Sequence, residues 1–141
     1  MISLQKKRQN KAQSLVELAF GASIIVLACP FLIDLLVLVI TADINNDIVG
    51  KAARVAANQT NVSNISTAVA SVQTNSLPPN NPIIKGLQLT ASAPDSNNLI
   101  TVTSKMTINL PFGIPGFTQN SLVLTAAASD PAANINPNAN P

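Results

Sequence analysis

The chain has 141 residues, 47% of them apolar and only 10% charged, against about 25% charged in an ordinary soluble protein. Its net charge of +2 comes from an N-terminal cluster, Lys6, Lys7, Arg8 and Lys11, and past Arg54 only Lys85, Asp95, Lys105 and Asp130 are charged, so the C-terminal two-thirds is neutral. That balance excludes a nucleic-acid surface, which needs clustered cations on the folded face, and a single Cys excludes an intrachain disulfide.

The first predicted element is a membrane helix. Of the 23 residues from Leu18 to Ile40, 15 are Leu, Ile, Val or Phe, and only Asp34 is charged. At ~1.5 Å per residue the run covers about 35 Å, enough for a hydrocarbon core of ~30 Å. The apolar side chains outweigh the roughly 2.5–3.5 kcal/mol cost of a central Asp, and Pro30 is tolerated in a spanning helix. Four cations precede the run and two, Lys51 and Arg54, follow it, so the N-terminus belongs in the cytoplasm and the C-terminal part outside. A cleaved secretory signal has a shorter apolar core.

Beyond the bilayer, Ile44, Ile48, Ala52 and Val55 recur at helical spacing, so one helix should continue to about Asn58 despite Gly50. A second helix is predicted from Ile65, Ala68, Val69 and Val72, with Ser63 as N-cap and Pro78-Pro79 as its stop. Then come three strands. "GLQLTASA" alternates Leu87, Leu89, Ala91 and Ala93 with polar residues. "LITVTSKMTINL" sets Ile100, Val102, Met106, Ile108 and Leu110 against Thr101, Thr103, Lys105, Thr107 and Asn109. Leu122 to Ala128 form a weaker third strand. "PDSNN" is a turn, "PFGIPGF" a stiff apolar connector, and residues 129–141 too poor in apolar surface to fold. The fold class is therefore α+β: a long membrane helix continuing into a small extracytoplasmic domain at 59–128, with a second helix and about three antiparallel strands.

The chemistry of catalysis is missing. There is no His for acid–base work, no glycine-rich phosphate loop and no cluster of metal ligands, so a non-enzymatic protein without cofactor or metal is expected. Three polar residues in or beside the apolar run remain. Glu17 either rests in the headgroup region or pairs with a cation, such as the N-terminal amine of a neighbouring subunit. Asp34 lies deeper, as a neutral acid in a helix contact or as an assembly site. Cys29 closes "VLAC", a pattern seen where bacterial lipoproteins are acylated and cleaved; the alternative is an ordinary buried membrane Cys.

The stretch "KAQSLVELAF" resembles the processing site of type IV pilin-like proteins, in which a membrane-embedded prepilin peptidase cuts on the cytoplasmic side and leaves Glu as the fifth mature residue. The resemblance implies cleavage between Ala12 and Gln13, a leader of residues 1–12, and Glu17 in fifth place; the family usually has Gly where Ala12 stands. Within that superfamily the chain is similar to TadE-like pseudopilins of the tight-adherence (Flp) pilus. The likeness lies in "QSLVE", in Asp34 followed by "DIVGKAARVAAN", and in "NLITVTSKMTINLPFGIPGFTQNSLVLTAAAS". It implies a pilin-like, processed minor subunit in the bacterial inner membrane. Its partners would be the peptidase, other pilins or pseudopilins and the assembly platform. Competing readings are a lipoprotein acylated at Cys29 and a signal-anchored adhesin whose domain, from about Asn58, binds an external ligand.

Overall fold

A computed structural model describes residues 2–78, 80–113 and 120–132, with side chains from Gln13 onward. Helix α1 (Ile2–Ala57) runs unbroken through Pro30 and, at ~1.5 Å per residue, is about 84 Å long. Every residue from Gln13 to Cys29 is exposed, as are Phe31, Leu32 and Ile33. This stretch is long and apolar enough to cross a membrane. From Asp34 onward one face of the same helix is covered by the domain, with Ile48, Val49, Ala52, Ala53, Ala56 and Ala57 buried.

Helix α2 (Val62–Ser76) follows a short turn and buries Ile65 and Val69, as the spacing predicts. Its N-cap is Asn61 rather than Ser63, and the cap side chain makes no hydrogen bond. Leu77 has already turned extended, because the ring of a following proline disfavours helical backbone in the residue before it. Strands β1 (Ile84–Ala91), β2 (Leu99–Asn109) and β3 (Ser121–Pro131) form an antiparallel meander in the order β1-β2-β3. Leu87 faces Met106, and Met106 faces Leu124. The "PDSNN" turn is closed by Asp95, whose Oδ1 accepts from the amides of Asn97 at 2.9 Å and Leu99 at 2.8 Å. Asn98 there has a φ of 60°, a left-handed conformation that Asn tolerates better than most residues.

The third strand departs from expectation at its end. It continues through Asp130 and Pro131, and Ala132 is buried, so residues 129–132 belong to the fold. Asn98 clamps that end: its carbonyl accepts from the Ala132 amide at 2.8 Å and its Nδ2 donates to the Ala132 carbonyl at 3.0 Å. The rest of the expected disordered tail, residues 133–141, lies outside the described residues, as do residues 114–119 of the expected connector.

Both helices cover one face of the sheet. A distal cluster joins Ala52, Ala53 and Ala56 of α1 to Ile65 and Val69 of α2, Ile100 and Val102 of β2, and Ala132. A second cluster, nearer the bare half of α1, joins Ile48 to Ile84, Leu87, Met106, Ile108 and Leu110, with Val37 and Leu38 packed against it. The alanines matter because a side chain of one carbon lets α1 approach α2 and the sheet closely. Several residues between 48 and 57 of α1 are therefore part of the same core as the sheet. The polar face of β2, including Thr103 and Lys105, is left to solvent.

Gly50 sits in the helical spine where an added Cβ would meet nothing within 4 Å. Gly50→Ala is expected to raise stability by about 0.5–1 kcal/mol, since glycine loses more backbone entropy than alanine in a helix. Denaturant unfolding of detergent-solubilised protein, followed by circular dichroism, checks it.

Candidate functional site

The bare half of α1 carries the residues singled out by the sequence. Gln13 and Glu17, one helical turn apart, are both exposed, and Gln13 Nε2 donates to Glu17 Oε1 at 3.3 Å. The residue after the expected cut and the expected fifth-place glutamate are thus neighbours on one face, as i and i+4 must be. Among the described residues Glu17 has no cationic partner, the one ion pair being Lys51–Asp47 at 2.6 Å, two exposed side chains a turn apart. The side chain of Ala12 lies outside those described. Ser23 turns its hydroxyl back onto the Ala19 carbonyl at 2.8 Å, so it offers lipid no free donor. Cys29 is exposed on the same bare helix, without a disulfide partner.

Asp34 is 2% exposed, and its Oδ1 accepts the backbone amide of Phe112 at 3.2 Å, across 78 residues of sequence. Its hydrogen-bond partner among the described residues is thus a loop of its own domain. Its Oδ2 is buried with no partner among the described residues. The amide it accepts is presented by the Pro111-Phe112-Gly113 turn. That turn needs glycine at its end: Gly113 has a φ of 77°, and a Cβ there would run into the side chain of Asn120.

Asp34 heads a row. Thr41 and Asn45 follow it at +7 and +11, which at ~100° per residue puts all three within about 20° of one line along the helix. Thr41 is 3% exposed and Asn45 1% exposed; Thr41 satisfies its hydroxyl on the carbonyl of Val37 at 2.7 Å, while Asn45 Oδ1 has no partner among the described residues. This row is the signal that sequence reading passed over. Polar residues in line on an otherwise apolar helix mark the face that protein covers. The opposite face stays apolar and exposed through Leu36, Val39, Ile40 and Ile44, until Asp43 and Asp47. The expected span of 18–40 is thus divided: bare helix to Ile33, then a stretch shared by membrane-type surface and domain contact.

Because the described bond uses only one acceptor atom, Asp34→Asn keeps the carbonyl that Phe112 needs and changes only the atom at the unpartnered Oδ2 position. Its stability is expected to match or exceed that of the parent protein, within the ~0.5 kcal/mol typical of changes that break no named contact. A loss above about 2 kcal/mol in the same unfolding assay would mean the ionised carboxylate itself holds the domain to the helix.

Among the described residues no group of His, Cys, Asp or Glu could hold a metal. No family model, curated protein or solved structure matches the chain.

Proposed function

We propose that the chain is a non-enzymatic, pseudopilin-like minor subunit of a tight-adherence (Flp) pilus assembly system, cut between Ala12 and Gln13 by a prepilin peptidase. It would be held in the bacterial inner membrane by the bare half of α1, with the domain outside. The observation that carries this reading is the division of one helix into a naked apolar half and a half clothed by a small sheet, with Glu17 exposed near the N-terminal end of the naked half. A cut before Gln13 would release an amine one helical turn from the Glu17 carboxylate. Within one chain these groups sit beside each other; between chains they supply both halves of an ion pair in a low-dielectric setting, where such pairs are strongest.

Acylation at Cys29 fits the surface less well. A mature chain starting there would keep only Pro30 to Ile33 ahead of the domain, yet Leu35, Leu36, Val39 and Ile40 would remain as exposed apolar surface. The experiment is the intact mass of protein purified from membranes containing the matching peptidase. Loss of Met1 to Ala12 is expected. A full-length chain there, or one starting at an acylated Cys29, overturns the proposal.

A further inference from the structure

The Asp34–Phe112 bond fixes the height of the domain relative to the membrane. Glu17 and Asp43 bracket the uncharged surface of α1, apart from Asp34 itself, which is covered. The 26 steps from Glu17 to Asp43 rise about 39 Å, close to the ~40–45 Å of a bilayer with its headgroups. With about 5–7 Å of headgroup zone on each side, the hydrocarbon ends roughly 35 Å beyond Glu17, and Asp34, at about 25 Å along that axis, lies short of its far edge. Phe112, bonded to it, is at the same level.

We infer that the base of the domain is seated in the outer leaflet of the bilayer that α1 crosses, with the Pro111-Phe112-Gly113 turn inserted beside the helix. Three observations agree. Phe112 is 57% exposed, a large apolar side chain in the bend that follows β2 at the lower end of the sheet. Leu35, Leu36, Val39 and Ile40 continue an apolar surface on the free side of α1 at and above that level, directly continuous with the spanning segment. The third is Asp34 itself, whose covering turn keeps its carboxyl from hydrocarbon at a depth where a bare acid would be costly. Lipid, rather than a second copy, is the occupant that this continuity with the span selects.

This inference rests on α1 crossing a bilayer and not on the pilus reading. The test is fluorescence depth quenching of the full chain in liposomes containing anionic lipid. In a Cys29→Ala background, single cysteines at Phe112, Leu27 and Lys105 carry an environment-sensitive dye. The dye at 112 should be quenched by nitroxides placed shallow in the acyl chains and be several-fold less accessible to aqueous iodide than the dye at 105. Quenching of 27 by deep nitroxides with 112 as open to iodide as 105 overturns the seated base while leaving the anchor intact. Protection of 112 from both quenchers, as cover by another protein copy would give, also overturns it. Absence of lipid quenching at 27 overturns the membrane span and this inference together.

Discussion

Glu17→Ala is expected to leave the protein inserted in the membrane and to remove it from any assembled filament base. Insertion should persist because the substitution only extends the apolar run, and a carboxylate at the edge of a span contributes nothing to partitioning. Assembly should fail because Glu17 is exposed and has no cationic partner among the described residues, which leaves its carboxylate open to the amine of a neighbouring subunit. Glu17→Gln sharpens the test. It keeps the hydrogen-bonding reach toward Gln13 and removes only the charge, so it should fail as Ala does. Glu17→Asp keeps the charge one carbon short and should assemble weakly. Membrane fractionation reads insertion, and cross-linking or co-purification with the other subunits reads assembly. Normal assembly of Glu17→Gln would show that no ion pair at this position organises the subunits.

Met106→Ala should produce the largest loss of folded stability, about 2–5 kcal/mol. Met106 is 0% exposed in the middle strand, between Leu87 of β1 and Leu124 of β3, and forms part of the cluster joined by Ile48 of α1. Removing its side chain opens a cavity where the sheet and the helix meet, and the flanking strands cannot close it without breaking their register. Since domains of this size have total stabilities of roughly 5–15 kcal/mol, such a loss is a large share of the whole. Lys105→Ala, on the solvent face of the same strand, should change stability by less than about 0.5 kcal/mol. Equal effects at 105 and 106 would mean that the two faces of β2 are not the inside and outside assigned to them.

Those two faces were legible in the sequence because β2 alternates over eleven residues, and a period of two has no other reading at that length. The α2 stripe, the proline stop after it and the Asp-Asn turn were legible for the same kind of reason: each is a local pattern with a local physical cause. The end of β3 was hidden, because Ala126 to Pro131 mixes small residues with an acid and a proline and carries little hydrophobic contrast. Its order comes from the Asn98 clamp, which no neighbour in sequence announces. Asp34 was found as an exceptional residue, but its partner was not. A backbone amide can belong to any residue type, so a bond across 78 positions leaves no mark on composition. At the membrane end, Gln13 and Glu17 were marked by their resemblance to a processing site, and the structure adds their adjacency on one helical face.

The shared core of α1 and the sheet has a mechanical consequence. A tether joined by a flexible linker lets its cargo swing, and stretches before it transmits force. Here no slack segment separates the bare apolar half of α1 from the sheet, since both belong to one rod whose alanines lie under Ile100 and Val102. Any tilt of that rod turns the domain by the same angle, and a pull on the distal end loads the bare half at once. The outward polar face of β2 consequently keeps a fixed bearing relative to the axis of α1. A fragment trimmed to begin near Asn58 would lose the rod and, with it, half of the wall against which the sheet is built.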